Sequence, residues 1–211
     1  EKYFAPIPAG KKIGRQLPTE PKQTQKRTLT VDAKVPANAL YKTWHMAGRF
    51  TPQYYATDFV SDMLSRGQSS RLYQKLVKER EIFTSISSFV MGTIDPGMLV
   101  VSGRVKEGVT LEQAEAEVDA VVADFKINMN ERELEKVKNQ ALATLEFGEV
   151  EVLNRAMNLA FASLSGDASV INQEGDIISS VQLTDVSRVA NDVLREENAS
   201  VMYYQAVDNK K

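Results

Sequence analysis

Two amphipathic segments meet at a glycine in the sequence LSRGQSSRLYQKL, residues 64–76. Upstream of it, Thr51 precedes a proline as an N-cap precedes the first helical residue, and apolar side chains then recur at helical spacing. Gly67 is expected to end that helix, because glycine readily takes the left-handed backbone that follows a helix C-terminus. Ser69 and Ser70 have hydroxyl side chains suited to capping a second helix. The stretch therefore predicts two successive helices.

Alternating apolar and polar residues predict strands on both sides of these helices. In the first strand Leu29, Val31 and Ala33 share one side and are expected to be half-buried. The third and fourth strands flank Asp95-Pro96-Gly97, in which proline presets φ and glycine accepts a positive φ, so they are expected to form a hairpin. The predicted strands are residues 28–35, 40–47, 83–92, 98–105 and 199–206.

Helices dominate the second half of the chain. Thr110 and Asn130 each stand three residues before Gln or Glu, the arrangement of a capping box. A further apolar helix is predicted over residues 152–164, and Thr184 is expected to cap the last helix. Strands adjacent in sequence with helices grouped between them favour the α+β class. The expected architecture is a two-layer sandwich with an antiparallel or mixed sheet and helices packed on one face.

Composition excludes several classes of function. The 211 residues carry 26 Lys+Arg and 28 Asp+Glu, so the positive field of a general nucleic-acid binder is missing. The absence of cysteine excludes disulfides, thiolate metal sites and cysteine nucleophiles. His45 is the only histidine, whereas a zinc peptidase site needs at least two imidazoles in nearly every known arrangement. The chain is not expected to build such a site alone, and no apolar run approaches the roughly 20 residues of a membrane span.

The N-terminal segment has the composition of a linker. Residues 1–27 contain four prolines among scattered lysines and arginines, without aromatic residues between the basic ones. That composition suits an extended linker from a preceding domain. The α+β domain is predicted to occupy residues 28–211, and the whole chain is expected to be a piece of a longer protein.

Two further patterns suggest chemistry only weakly. Gly67-Gln68-Ser69-Ser70-Arg71 nearly matches the nucleophile elbow G-x-S-x-G, and a serine hydrolase built on Ser69 would need His45 as its base. The pattern follows a helix rather than a strand, so helix capping is the favoured interpretation. Carboxylates also recur at helical spacing, and without imidazole partners a solvated helix face explains them better than a hard-cation site. They are Glu112, Glu115, Glu117, Asp119, Glu146, Glu149 and Glu151.

The signature over residues 64–97 resembles that of a known family. GQSSRLYQKL matches the pattern G-x-S-S-R-L-Y-x-x-L, and Asp95-Pro96-Gly97 follows it. The pattern is similar to that of the second, non-zinc domain in the inverzincin metallopeptidases, the family of pitrilysin, insulin-degrading enzyme and mitochondrial processing peptidase. The resemblance extends over most of the chain.

The resemblance implies that chemistry and peptide enclosure belong to different domains. A homologous domain of the parent protein would carry H-x-x-E-H, whose histidines and a downstream glutamate hold zinc while the first glutamate acts as general base. The present chain would hold no metal, cofactor or catalytic residue, and would form part of a peptide-enclosing chamber and of domain interfaces. Candidates for substrate or interface contacts are Ser69, Ser70, Arg71, Tyr73, Lys78 and Arg80.

One departure from the family pattern concerns an Arg and a Tyr that contact the substrate backbone in members where this domain assists catalysis. The matching positions hold Val77 and Thr84. Two interpretations stay open: a non-catalytic domain of an active zinc endopeptidase, or a purely structural or assembly module of a parent that cleaves nothing. The expected partners are a zinc-bearing domain or partner half, and peptide within the assembly. Family context favours the bacterial cell envelope or periplasm over the cytoplasm.

Overall fold

One mixed sheet organises the chain. A computed structural model describes residues 2–3, 5–11, 14, 18 and 20–207. Parts of the predicted linker and residues 208–211 of the predicted domain lie outside the described residues. The strands are β1 (Arg27–Ala33), β2 (Ala39–Met46), β3 (Phe83–Met91), β4 (Gly97–Val105) and β5 (Ala199–Ala206). Their order is β1-β5-β2-β4-β3; β1 runs parallel to β5, and the other neighbours are antiparallel.

Helices cover one face of this sheet. They are α1 (Pro52–Ser65), α2 (Leu111–Asn128), α3 (Glu131–Gly148), α4 (Val152–Leu164), α5 (Glu174–Ser180) and α6 (Leu183–Val193). A π-helix spans Tyr73–Glu79, and short 3-10 helices span Ala168–Gln173 and Glu196–Asn198. The predicted α+β class is confirmed, and of the two sheet types expected the mixed one is observed. Sequence analysis missed α5 and the 3-10 segments.

The core lies between the sheet and the helices. Burial alternates along β2, where Leu40, Trp44 and Met46 face the helices while His45 points to the other side. Phe59 of α1 and Phe125 of α2 pack into the same cluster. Burying one such side chain stabilises the fold by about 1.5–3 kcal/mol, so this layer supplies most of the favourable free energy of folding.

Of the caps predicted for α2, α3 and α6, the first two are observed, whereas Thr51 precedes α1 without a side-chain cap bond. Thr110 Oγ1 accepts a hydrogen bond from the Gln113 N–H, and Asn130 Oδ1 accepts one from the Glu133 N–H, both at 3.1 Å. The prediction that Thr184 caps the last helix is wrong. Gln182 and Asp185 form the capping box there, and Thr184 lies inside the first turn because α6 begins at Leu183.

Val31 and Ala33 of β1 are half-buried as expected, but Leu29 is not. Leu29 pairs in register with Met202 and Val31 with Tyr204, whereas Thr28 pairs with the buried Val201. The apolar side of β1 therefore faces away from the helices, and Leu29 is 58% exposed. Alternation indicates which residues share a side of a strand, but at the edge of a sheet it does not indicate which side the helices cover.

Candidate functional site on the signature segment and the open sheet face

Gly67 turns the chain between α1 and the signature helix, as predicted. Its φ is +79°, in the left-handed region that favours glycine. The Arg66 N–H donates to the Asp62 carbonyl and closes α1, and the Ser70 N–H donates to the Gly67 carbonyl at 3.1 Å. The glycine thus sets the direction in which the signature helix leaves α1.

Neither signature serine caps the following helix, which corrects the favoured interpretation of both. The Ser69 hydroxyl accepts a hydrogen bond from Lys136 Nζ of α3 at 2.8 Å. Ser70 is buried, and its Oγ has no hydrogen-bond partner within the described part of the chain. The bond to α3 therefore orients the Ser69 hydroxyl, whereas the Ser70 hydroxyl is buried without a bond to the following helix.

Arg71 connects the signature helix to the junction of α2 and α3. Its Nε and Nη2 lie 3.0 and 2.8 Å from the two carboxylate oxygens of Glu133, a bidentate pair. Its Nη1 lies 2.8 Å from Asp124 Oδ2, and Nη2 also donates to the Asn128 carbonyl at 2.5 Å. Because the fold uses these donors, Arg71 positions the helix rather than presenting a guanidinium to a ligand.

The remaining signature candidates do not converge on a cleft. Lys78 is exposed, Arg80 forms an ion pair with Glu117, and Tyr73 is half-buried. Val77 packs against the core, and the Thr84 hydroxyl donates to the Arg104 carbonyl at 3.2 Å. The two positions that match the family's Arg and Tyr therefore have local structural contacts.

The structure does not bring Ser69 and His45 together. His45 points to the helix-free side of the sheet, where its Nε2 lies 3.8 Å from Glu20 Oε1. Ser69 lies on the helix side and bonds to Lys136. A nucleophile and its base must lie within hydrogen-bond reach, so this arrangement does not support the serine hydrolase hypothesis.

A buried ionic network joins the sheet to α2, and sequence analysis missed it. Lys42 Nζ lies 2.8 Å from Glu115 Oε1 and 2.6 Å from Asp119 Oδ1. Glu115 also pairs with Lys26 at 2.6 Å and accepts a hydrogen bond from the Tyr203 hydroxyl at 2.5 Å. The prediction of a solvated carboxylate face is wrong for Glu115, which is 4% exposed, because the sheet supplies a buried cation.

This network changes the acidity of its members. Burial acts to raise the pKa of Glu115, but hydrogen bonds from Lys26, Lys42 and Tyr203 outweigh it and lower that pKa to about 2. Burial and the adjacent Glu115 raise the pKa of the Tyr203 hydroxyl. Glu115 therefore stays ionised and holds β2, β5 and the end of the N-terminal segment together.

Asp58 of α1 has the opposite environment. Burial, followed by the nearby charge of Asp62, raises its pKa to about 6 against the weaker effect of Arg66 and Arg49. The side chain lines a cleft of about 370 Å³ between α1, α3, α4 and α5. The charged residues of the cleft are Arg49, Arg66, Asp58 and Glu174. With a pKa of about 6, the Asp58 carboxyl changes its protonation close to neutral pH.

The residues present do not fit a zinc peptidase centre. Within the described residues, no three His, Cys, Asp or Glu side chains are grouped so that they could hold a metal. His45 is the only imidazole in the sequence, and Glu20 is its one charged neighbour within 4 Å in the described part of the chain. A catalytic zinc needs three protein ligands around an open position.

The side of the sheet without helices, which we term the open face, is apolar and aromatic. The rings of Tyr41 and Tyr204 meet edge to face, 6.4 Å apart, and Phe89 and Met91 are 44% and 49% exposed. None of the strand residues on this face, all of them described, is acidic. A groove of about 300 Å³ between β2, β3 and β4 is lined by Tyr41, Ser87, Ser102 and Arg104 together with their neighbours. Across the described residues, no helix is both long and apolar enough to cross a membrane.

The fold and the signature define a two-layer α+β domain, and the residues described in the structure form no catalytic metal centre. Residues 1–141 match the family model described as the peptidase M16 inactive domain. The chain belongs to that family, as the resemblance of its signature implied.

Solved structures share this fold. A protease from Helicobacter pylori aligns with a TM-score of 0.88 at 20% identity, covering 97% of the chain and 50% of that protease. The inactive peptidase domain of a Bordetella parapertussis protein assigned as a zinc protease aligns with a TM-score of 0.75 at 20% identity. The alignment covers 85% of the chain and 99% of that domain. The periplasmic protease PqqL from Escherichia coli aligns with a TM-score of 0.70 at 14% identity. The alignment covers 96% of the chain and 22% of that protease. At these identities the likeness establishes the fold alone, and no curated protein matches the sequence.

Proposed function

We propose that the chain is the non-catalytic domain of a longer zinc metalloendopeptidase, and that its open face forms part of the wall of a peptide-enclosing chamber. The observation that carries the proposal is the exposed apolar and aromatic surface of a sheet whose helices all pack on the other face. Membership of an inactive peptidase domain family supports a partner domain that supplies the zinc chemistry. The chain spans half of the Helicobacter protease, which leaves room for such a domain.

The open face suits extended peptides of varied sequence. Phe89, Met91 and Leu29 offer apolar contacts that do not depend on a particular partner side chain. Arg27 and Arg104 are the charged strand residues on this face, so acidic and apolar segments are expected to bind better than basic ones away from Glu20. The likeness to a periplasmic protease supports a location in the bacterial cell envelope.

The experiment uses the full-length product of the reading frame that encodes this chain. Phe89→Glu should raise KM for an unfolded apolar peptide by about ten-fold with kcat little changed, because Phe89 would contribute to substrate binding rather than to bond breaking. The matched control is Ile127→Glu, which places the same charge at an exposed position on α2. Equal KM values in the two variants would contradict the chamber-wall role.

A second candidate is an assembly module in a parent protein that cleaves nothing. Val77 and Thr84 favour it, because both have structural contacts at the positions where assisting domains carry Arg and Tyr. Full-length protein that folds but hydrolyses no peptide with zinc present would select this candidate.

A further inference from the structure

Helix α4 leaves a stripe of large apolar side chains exposed to solvent. Leu153, Met157 and Leu164 lie on this stripe at helical spacing and are 70%, 52% and 67% exposed. Asn154 and Asn158, outside the stripe, line the cleft between α4 and the domain body. A surface helix normally shows the reverse arrangement, with its apolar stripe toward the core.

The helix is only lightly attached to its own domain. Ala162 is its one buried residue. The Arg49 guanidinium lies 5.9 Å from the ring centres of both Tyr54 of α1 and Phe161 of α4, which links the two helices by cation–π contacts. The apolar stripe therefore contributes almost nothing to the core of this chain. Phe147 and Val150, just before α4, extend the exposed apolar surface.

The chemistry of the stripe indicates its occupant. Arg155 is the one charged side chain of α4, whereas helices that lie on membranes carry several basic residues beside the apolar stripe. A stable complex between separate chains buries about 800 Å² on each partner, more than one helix stripe provides. A domain on the same polypeptide needs less, because the tether raises its effective concentration to about the millimolar range. The chain aligns with one half of the Helicobacter pylori protease. A polypeptide of that length would have a second domain in its other half.

We propose that the stripe of Leu153, Met157 and Leu164 is the surface on which another domain of the same polypeptide packs. The existence of that domain rests on the proposed function, but the location of its contact is independent of any peptidase activity. Leu153 and Leu164 would provide the apolar contacts. Ala156 and Ala160 lie between them and permit close approach of the partner backbone.

Hydrogen exchange followed by mass spectrometry tests the contact. The amides of α4 should exchange at least about ten-fold more slowly in the full-length product than in the 211-residue chain, because docking suppresses local opening of the helix. Leu153→Asp in the full-length product should restore the faster rate. Ile127→Asp is the matched control on α2 and should leave α4 exchange unchanged. Met157→Asp provides a second disrupting variant, and circular dichroism checks that each variant is folded.

Equal α4 exchange in the two proteins would overturn the proposal. So would a dimer of the 211-residue chain that Leu153→Asp abolishes in sedimentation, because the occupant would then be a second copy. Binding of the full-length product to phosphatidylglycerol vesicles through the same residue would also overturn it. Slow α4 exchange in a full-length product that shows no zinc-dependent hydrolysis would contradict the proposed function but support the contact at α4.

Discussion

Lys42 is the residue on which the contact between sheet and helix layer depends most. Its ammonium group is buried between Glu115 and Asp119, and its side chain is 3% exposed. The sequence contained a signal for it, since Lys42 occupies an inward position of β2 between Leu40 and Trp44. Alternation alone could not reveal the partners, because Glu115 is about 70 positions away along the chain.

Replacing Lys42 by methionine should destabilise the fold by about 1.5–3 kcal/mol, because Glu115 would lose its buried cation but keep Lys26 and the Tyr203 hydroxyl. Urea denaturation of the 211-residue chain measures the change. Lys106→Met removes an exposed pair with Glu81 and should leave the free energy of unfolding nearly unchanged. Similar costs for the two variants would show that the buried network contributes no more than a surface pair.

Asp58 gives the stability of the domain a pH dependence. Its folded pKa of about 6 lies above the ordinary value of 3.8, so the folded state holds the proton more tightly. This contribution to stability is present below about pH 4 and is lost as the pH rises through 6. Asp58→Asn should therefore raise stability at pH 7 by about 1–2 kcal/mol, a gain that disappears near pH 4.

Thermal denaturation between pH 4 and 7 measures the effect of Asp58→Asn. The control is Asp176→Asn, which changes an exposed carboxylate of α5 and should leave the pH profile of wild type unchanged. A difference between Asp58→Asn and wild type that did not vary with pH would show that the carboxyl is not protonated in the folded state.

At the scale of elements, β3 is an edge strand whose outer backbone is partly protected. Ser65 Oγ at the end of α1 donates to the Ser88 carbonyl at 2.9 Å and accepts from the Ser88 N–H at 2.6 Å. One side chain thereby occupies a donor and an acceptor that another strand would otherwise pair with.

Ser65→Ala should lower the free energy of unfolding by about 1–2 kcal/mol, because both backbone groups of Ser88 lose their partner. It should also increase association at high protein concentration through the exposed edge. Urea denaturation and light scattering measure the two effects. Ser87→Ala, on the exposed side of the same strand, should change neither. A monomeric Ser65→Ala protein of wild-type stability would contradict this role.

Local sequence was sufficient for elements that local chemistry specifies. The β3–β4 hairpin and the caps at Thr110 and Asn130 were correct because adjacent residues determine them. The expected positive φ at Gly97 was wrong, since Gly97 is the first residue of β4. The exposure of α4 could not be predicted from the sequence. Its apolar residues recur at the spacing of a core helix, yet the stripe they form faces outward. The predicted serine cap was also wrong, since Ser69 bonds to Lys136 of α3 and the Ser70 hydroxyl has no partner in the described residues.

At the scale of the whole molecule, the signature identified the family. The sequence did not reveal the surfaces that partners would contact. The signature helix proved to be fixed within the fold, chiefly by Arg71, whereas the surfaces left for partners are the open face and the α4 stripe. Neither surface was identified as exposed from the sequence alone. A domain with two such surfaces is suited to work inside a larger assembly.

The division of chemistry between domains can be measured directly. The 211-residue chain and the full-length product would be assayed in parallel for bound zinc and for chelator-sensitive cleavage of an unfolded peptide. We predict one zinc per full-length polypeptide with hydrolysis, and neither zinc nor hydrolysis for the 211-residue chain. Stoichiometric zinc and chelator-sensitive cleavage by the 211-residue chain alone would contradict its assignment as the non-catalytic domain.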